Sequence, residues 1–217
     1  MLIKIGETME VHLVAYTQFS PKYVGYNVDD LVALAMRSCH SKKAMHELTN
    51  QKEKKETARR IRFAKKVEHF SVLEHANFTF SISGISRICS HQLVRHRLAS
   101  YSQISIRAVD PEGLNTVLPP TIPNEQVKLF EKQGKSAREV YRKLIKAGVP
   151  RENARFVLPM GVETHIVVTM NARELLHFCR LRNDERAQWE IRELANRMLA
   201  LAKQVAPVIF ENVPETI

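Results

Sequence analysis

Residues 76–83 read ANFTFSIS, and the strict alternation of apolar and polar side chains makes this stretch the clearest strand signal in the chain. Successive side chains of a strand point to opposite faces of its sheet. Phe78, Phe80 and Ile82 would therefore share one apolar face, while the polar residues between them would face the other way. Gly84 is expected to end this strand.

Two further strands are predicted from the same alternation, at residues 8–16 and 162–170. The apolar face of the first would hold Met9, Val11, Leu13 and Ala15. The corresponding face of the second would hold Val162, Thr164, Ile166, Val168 and Met170.

Helical patterns occupy much of the remaining chain. Asn171 and Glu174 have the spacing of a helix cap, and Asp29 and Asp30 are acidic residues of the kind that open a helix. Four prolines make residues 111–124 a loop. Helices are predicted over about residues 29–40, 51–66, 86–97, 124–147, from 171 onward, and 187–205.

The order of these elements predicts an α+β fold. Strands and helices do not alternate as regularly spaced βαβ units, and no internal repeat or low-complexity linker interrupts the pattern. We therefore expect a central, twisted, mainly antiparallel sheet flanked by long helices. A chain of 217 residues with 44% hydrophobic content can bury one substantial core, so we expect a single domain over residues 1–217.

Composition also bounds the location of the protein. No apolar run approaches the roughly 20 residues that span a bilayer. The start, MLIKIGETMEVHL, lacks a long apolar segment followed by a cleavage site, so we expect neither a secretory signal nor a membrane role. Cys39, Cys89 and Cys179 are widely spaced and odd in number, which favours a reducing, cytoplasmic location over a disulfide framework.

The net charge of +10 is compatible with a solvated basic surface, with nucleic-acid binding, or with small polyanionic ligands such as nucleotides. The basic run from Lys52 to Lys66 is predicted to be the outer face of a helix. Neither a G-x-G-x-x-G motif after a strand nor a phosphate-binding P-loop motif is present, so any dinucleotide must be held another way.

The segment from Ser86 to Arg107 carries the first group of candidate binding residues. On the predicted helix, Gln92, Arg95 and His96 would lie on one face. Arg97 alone could be a basic residue that completes a helix end. The polar run that follows has no such explanation, and its hydroxyl, amide and guanidinium groups are those that bind phosphates and pyrimidine or flavin edges. This run comprises Ser100, Tyr101, Ser102, Gln103, Ser105 and Arg107.

A second group runs from Arg151 to Glu190. Arg173 would lie in the first turn of a helix, where a positive charge opposes the helix dipole but can bind an anion, and His177 would share its face. Arg155 precedes the strand at 162–170. Surface pairing with a nearby carboxylate is an even alternative for Arg186 and a weaker one for Arg182.

Other candidates receive structural interpretations. Trp189 is expected to pack in the core. His69, Glu74 and His75 lack visible third and fourth ligands, so no metal site is expected. Ser105 has no G-x-S-x-G surrounding and is not predicted to be a hydrolase nucleophile.

Three segments resemble one enzyme family. Arg95-His96-Arg97, then seven residues, then Ser105 with Arg107 two positions further on, is similar to the signature of the flavin-dependent thymidylate synthases. The segment from His69 to His75 and the segment from Asn171 to Glu190 resemble two further motifs of that family. The similarity extends over roughly residues 10 to 210.

The resemblance implies an enzyme that methylates dUMP to dTMP, with FAD as cofactor, 5,10-methylenetetrahydrofolate as carbon donor and NADPH as reductant. It also implies a homotetramer with active sites shared between subunits. The FAD-binding residues implied are Ser71, Arg95, His96, Arg97, Gln103, Asn171, Ala172, Arg173 and His177. The dUMP-binding residues implied are Gln92, Leu93, Val94, Arg95, Gln103, Ile104, Ser105, Ile106, Arg107, Arg155 and Arg182.

Within this set, Arg182 is the implied catalytic residue, because the matching arginine polarises the uracil ring. Arg155 and Arg107 are expected to neutralise the nucleotide phosphate. No cysteine nucleophile is expected, since reduced flavin supplies the hydride. Cys39, Cys89 and Cys179 are each expected to be buried and inert. The alternative from another class is a basic nucleic-acid-binding protein, although no binding motif or interleaved aromatic patch accompanies the positive charge.

Overall fold

The computed structural model describes residues 9–214. The strands, in chain order, are β1 (Glu10–Tyr16), β2 (Asn77–Ser86), β3 (Ala99–Gln103) and β4 (Glu163–Asn171). The α-helices are α1 (Val28–Ser38), α2 (Gln51–Lys55), α3 (Thr57–Lys66), α4 (Arg87–Leu93), α5 (Asn124–Lys146), α6 (Arg151–Ala154), α7 (Ala172–Arg182) and α8 (Trp189–Val205). Short 3₁₀ helices lie at Met45–Leu48, Phe70–His75, Pro111–Gly113 and Arg155–Val157.

The four strands form an antiparallel sheet in the order β1-β2-β4-β3, which confirms the predicted α+β class. The central strands β2 and β4 have the predicted alternation. Phe78, Phe80 and Ile82 of β2 are fully buried. The predicted apolar face of β4 is buried along its whole length, from Val162 to Met170. Burial of these two faces fixes the register of the central strands, since a one-residue slip would expose them.

The face predicted for β1 is only partly buried. Met9 is buried, Val11 and Leu13 are half-buried, and Ala15 is exposed, so the prediction was wrong at Ala15. An edge strand has a neighbour on one side only, which leaves its end open to solvent. Residue 8 of the predicted strand lies outside the described residues.

The predicted end of β2 was wrong, because the strand continues through Gly84 to Ser86. Gly84 has a φ of +71°, a left-handed conformation that glycine adopts without steric cost. A single such residue lets the chain change direction while strand pairing continues.

The helix predicted over 86–97 is shorter than expected, and the strand β3 that follows it was missed. Helix α4 ends at Leu93, so Arg95 and His96 lie beyond it and do not share a helical face with Gln92. The strand β3 reads ASYSQ and has no apolar alternation. Its strand conformation comes from pairing with β4, a tertiary contact that outweighs local propensity.

Three further expectations need correction. The helix predicted over 51–66 is divided at Glu56 into α2 and α3. In the basic run, Ile61 and Ala64 are buried as the inner face, but Lys65 is also half-buried and is not simply a solvated residue. Trp189 is half-buried at the start of α8, not a core residue.

Side-chain caps set the starts of several helices, including α1 and α7. At α1, the Asn27 side chain accepts from the Asp30 N–H at 3.0 Å, and the Asp30 carboxylate accepts from the Asn27 N–H at 3.1 Å. At α7, the Asn171 side chain accepts from the Glu174 N–H at 2.9 Å, which confirms the predicted cap. Helices α5 and α8 also lie close to their predicted positions.

The described chain divides into two compact units. The first unit contains Ser81–Arg95 and Tyr101–Val167, together with residues 9–10. The second unit contains Val11–Phe80, His96–Ser100 and residues 168–214. The prediction of one domain over residues 1–217 stays a prediction. Across residues 9–214, no helix is both long and apolar enough to cross a bilayer.

Replacing Asn27 with Ala should lower the free energy of unfolding by about 1 kcal/mol, because the first turn of the buried helix α1 loses its reciprocal cap. The matched control is Asn50→Ala, which removes the cap of the short, exposed helix α2. Denaturant titration of both variants should show a clear loss for Asn27→Ala and a smaller one for Asn50→Ala. Equal losses would contradict the importance of the α1 cap.

Candidate active site

A cavity of about 770 Å³ lies in the second unit, at helices α3 and α7. Phe70, Leu73, Leu98 and Leu176 give it an apolar lining. Basic side chains also line it, namely Arg62, Lys65, Lys66, Arg173, His177 and Arg180. This volume lies within the usual range for small-molecule and cofactor sites, and the combination suits a ligand that carries both a ring system and negative charge.

Some of these positive charges are already neutralised. Arg62 pairs with Glu211 at 2.8 Å, and Arg173 pairs with Glu74 at 2.6 Å. Lys66 and Arg180 lack a carboxylate partner among residues 9–214. Burial lowers the pKa of the half-buried Lys65, whose ammonium donates to the Ile209 carbonyl at 3.0 Å. The cavity therefore has a positive potential that favours an anion.

The buried imidazole of His96 contacts two residues of α7, Arg182 and Glu174, in the same unit. His96 is 4% exposed, and its Nε2 accepts from the Arg182 Nε–H at 3.1 Å. On its other side, Nδ1 lies 3.6 Å from Oε1 of the buried Glu174. The ring contacts the edges of His177 and Phe178, with centroid distances of 5.7 and 4.9 Å. The structure thus brings together His96, His177 and Arg182 of the predicted site.

These surroundings keep His96 uncharged. Burial, and then the charges of Arg182 and His177, lower the pKa of His96 from its ordinary 6.5 to about 4. The neutral ring has one N–H and one lone pair. Because Arg182 can only donate, the lone pair is at Nε2 and the proton is at Nδ1.

In the first unit, Gln103 is anchored at the end of β3. Its side-chain amide donates to Ser90 Oγ and to Thr164 Oγ1, both at 2.9 Å. Ser90 and Thr164 are buried. Gln103 is therefore held in place by the core. The backbone of the next residues, Ile104 to Arg107, starts from this fixed position.

Arg107 at the end of this stretch and three further arginines lie in this part of the first unit, and Glu152 pairs with Arg107. Arg107 pairs with Glu152 at 2.9 Å, and Arg155 Nε donates to the Glu152 carbonyl at 3.2 Å. Arg87 donates to the Ile104 carbonyl and Arg151 to the Ala108 carbonyl, both at 3.0 Å. The excess of positive charge makes this part of the first unit a second candidate anion site.

Arg87 and Arg151 were not among the predicted site residues. Burial, and then the charge of Arg155, lower the pKa of Arg87. Both residues are in the first turn of a helix, Arg87 in α4 and Arg151 in α6. That position opposes the helix dipole, and the same signal singled out Arg173. Applied to the helix predicted over 86–97, it would have found Arg87. No helix was predicted at 151–154, so the same signal could not have found Arg151.

The remaining predicted residues differ in burial. Leu93, Ile106 and Ala172 are buried. Arg95 and Arg97 are exposed, and so are Ser71, Val94 and Ser105. Of the nine predicted flavin contacts, Arg173 and His177 line the cavity and the other seven do not. Arg186 is 90% exposed and pairs with Asp184, which confirms its surface interpretation.

The cysteines differ from one another. Cys89 and Cys179 are buried as expected, while Cys39 is exposed at the end of α1, so its predicted burial was wrong. Burial raises the pKa of Cys179 to about 12. A thiol with that pKa is not a thiolate near neutral pH. Within residues 9–214, no group of His, Cys, Asp and Glu side chains is arranged to hold a metal ion.

Comparison with known proteins identifies the family. Residues 13–208 match the family described as "Thymidylate synthase complementing protein". Three relatives carry the name "Flavin-dependent thymidylate synthase". The chain belongs to this family.

The similarity to these three relatives extends over most of the chain. That of Geobacter sulfurreducens is 49% identical over 185 residues, covering 83% of this chain and 80% of the relative. That of Sulfurisphaera tokodaii is 47% identical over 209 residues, covering 94% and 77%. That of Saccharolobus solfataricus is 45% identical over 207 residues, covering 94% and 76%. The resemblance predicted from three short motifs is thereby confirmed over most of the chain.

The neutral state of His96 predicts a pH dependence of stability. In the unfolded chain His96 takes up a proton near its ordinary pKa of 6.5, whereas the folded protein resists protonation until about pH 4. The free energy of unfolding should therefore fall as the pH drops through this range, by at most about 1.4 kcal/mol per pH unit from this residue. Denaturant titrations between about pH 4.5 and 7.5 measure the slope.

The control for this slope is His96→Gln, which keeps polar groups at the position but does not titrate. The variant should be less stable near pH 7 and should lose part of the pH slope. Identical slopes in the two proteins would show that His96 titrates normally in the folded state.

Proposed function

We propose that this protein is a flavin-dependent thymidylate synthase that converts dUMP to dTMP, with 5,10-methylenetetrahydrofolate as carbon donor and NADPH as reductant. The observation that carries the proposal is the cavity at Arg173 and His177, in a chain that belongs to a family whose relatives are named for this activity. When bound, reduced FAD would supply the hydride that completes the methyl group.

The second unit fits FAD without a glycine-rich loop. Its cavity offers apolar side chains for a ring system, and the cations Lys66, Arg173 and Arg180 for a pyrophosphate. We assign Arg173 and His177 to the flavin, together with Ser71, Arg95, His96, Arg97, Gln103, Asn171 and Ala172 as proposed contacts. Asn171 caps α7, so it also sets the position from which Arg173 projects.

The first unit fits the nucleotide. Arg107 and Arg155 supply guanidinium groups beside Glu152, and Gln103 is anchored to direct the stretch that follows it. We assign the dUMP phosphate to Arg107 and Arg155. The other proposed contacts are Gln92, Leu93, Val94, Arg95, Gln103, Ile104, Ser105 and Ile106.

Arg182 has the chemistry required at the pyrimidine. A guanidinium is always charged, so it can stabilise negative charge that grows on the uracil ring without losing a proton. Its Nε is oriented by the neutral His96 ring. Holding the guanidinium in place before the reaction lowers the reorganisation needed in the transition state.

We also propose a homotetramer with shared active sites, working in the cytoplasm. Large apolar side chains next to three proposed site residues are exposed, with Phe156 at 84%, Leu98 at 63%, and Leu181 also open to solvent. Exposed apolar groups of this size commonly mark protein interfaces. The odd, widely spaced cysteines favour a reducing compartment.

The alternative of a basic nucleic-acid-binding protein is not supported, because the relatives carry the name of an enzyme. The arginines of both units instead fit small anionic ligands.

Two substitutions should separate flavin binding from nucleotide binding. Arg173→Ala should weaken FAD binding, whereas Arg182→Ala should retain FAD and weaken dUMP binding or turnover. Losing one charge-assisted hydrogen bond costs about 1.5–3 kcal/mol, roughly tenfold to more than a hundredfold. Flavin stoichiometry is measured from the visible spectrum, and dUMP affinity by titrating the flavin-loaded protein.

The matched control is Arg186→Ala, which removes an exposed arginine that pairs with Asp184 and should change neither affinity. A parent protein that binds no added FAD would refute the proposed function. Intact dUMP binding in Arg182→Ala would remove Arg182 from the nucleotide site.

Catalysis should need no thiol. A variant in which Cys39, Cys89 and Cys179 are all Ser or Ala should form dTMP within about tenfold of the parent rate, because the buried Cys179 thiol is protonated near neutral pH. The assay contains dUMP, methylenetetrahydrofolate, FAD and NADPH. Complete loss of activity in a folded variant that still binds flavin would require a cysteine nucleophile.

A further inference from the structure

Glu174 is a buried carboxylate, and its position in α7 does not by itself explain why it is buried. The residue is 5% exposed and lies in the first turn of the helix. The cap of α7 uses the Glu174 backbone N–H, which donates to Asn171, and leaves the carboxylate out of the capping contact. Burying a carboxylate is costly unless the charge has a partner. The ionisable partner of the Glu174 side chain is His96.

The two ring nitrogens of His96 face groups of opposite character. Nδ1 lies 3.6 Å from Glu174 Oε1, which is beyond hydrogen-bond distance but close enough for the negative carboxylate to favour a proton on that nitrogen. Nε2 accepts from Arg182 at 3.1 Å, and a guanidinium only donates. Both neighbours therefore stabilise the same tautomer, with the proton at Nδ1 and the lone pair at Nε2. In the opposite tautomer, the Nε2 proton would meet the Arg182 Nε–H.

We propose that Glu174 is a positioning residue, which acts through His96 to hold Arg182 in the orientation that the pyrimidine requires. The inference rests on the proposed function, because it assigns the substrate contact to Arg182. The chain of contacts is Glu174 carboxylate, His96 imidazole, Arg182 guanidinium, and all three belong to the second unit.

The geometry of the last contact fits this role. His96 accepts a hydrogen bond from the Arg182 Nε–H. This contact does not use the terminal nitrogens of the guanidinium, with which it binds the edge of a planar acceptor. A fixed Nε sets the plane of the guanidinium. The edge contacts of His96 with Phe178 and His177 in turn fix the plane of the imidazole.

The neutral ring is suited to this arrangement. A protonated His96 would have a proton at Nε2 and could not accept from Arg182. The lowered pKa of His96 agrees with the contact geometry, since it keeps the acceptor available near neutral pH.

A double-mutant cycle on flavin-loaded protein tests the proposal. The variants are Glu174→Gln, Arg182→Ala and the combination, and the readout is dUMP affinity measured by titration. Glu174→Gln has nearly the same shape but can present an NH₂ group to Nδ1, so it no longer fixes the tautomer. We expect it to weaken dUMP binding about tenfold, with flavin content unchanged.

The combination distinguishes positioning from a general structural effect. If Glu174 acts through Arg182, the double variant should bind dUMP no more weakly than Arg182→Ala alone. Additive losses of dUMP affinity, or an unchanged dUMP affinity in Glu174→Gln, would overturn the inference while leaving the role of Arg182 intact. A silent Arg182→Ala would instead refute the nucleotide contact in the proposed function, and the positioning role with it.

A second readout does not depend on activity. Nitrogen NMR of histidine-labelled, flavin-loaded protein should give a protonated Nδ1 and an unprotonated Nε2 for His96, assigned by comparison with His96→Gln. Glu174→Gln should shift or broaden this pair of signals. A parent ring with its proton at Nε2 would contradict the proposed chain of contacts.

The matched control is Glu193→Gln, which removes a carboxylate from an exposed pair with Arg197 on α8. This variant should change neither dUMP affinity nor the His96 signals. An equal loss of dUMP affinity in Glu193→Gln would show that neutralising any carboxylate weakens nucleotide binding, and would overturn the specific role of Glu174.

Discussion

The register between β2 and β4 is the constraint on which the candidate site depends. Thr79 and Thr169 share a hydroxyl hydrogen bond of 2.9 Å across these strands. The pairing continues to the end of β4, where the Ala172 N–H donates to the Ala76 carbonyl at 2.7 Å. This last bond fixes the first residue of α7. Since successive residues of a helix are separated by about 100°, fixing the first residue also fixes where Arg173, Glu174 and His177 point.

The same register positions the residues that precede β2. The 3₁₀ helix Phe70–His75 leads directly into the strand, so its side chains are placed relative to the start of α7. Glu74 pairs with Arg173, and Phe70 lies beneath its guanidinium at 5.9 Å from the ring centroid. An arginine in a first turn opposes the helix dipole, and here the carboxylate and the ring compensate for part of that cost.

Burial explains why charge is distributed as it is around α7. Glu174 and His96 are enclosed, so each needs a partner of suitable hydrogen-bonding character. The cations that line the cavity are mostly half-buried or exposed, where hydration lowers the cost of keeping them unpaired. Helix α7 therefore places the buried contact between Glu174 and His96 next to cations that are open to an anionic ligand, and Glu174 itself also lines the cavity.

The sequence by itself determined the two central strands, the cap of α7 and the family. Strict alternation buries one face of a strand wherever its partner lies, Asn171 caps a helix through a local bond, and the Arg95 to Arg107 spacing is specific enough to indicate the family. Only the tertiary structure decided the end of α4, the existence of β3 and the partners of each site residue. The polar stretch ASYSQ becomes a strand because β4 provides a hydrogen-bonding edge. Glu174 approaches His96 although 78 positions separate them in the chain, as their numbering shows. Local patterns report propensity and periodicity, whereas burial and pairing between distant residues arise only when the chain has folded.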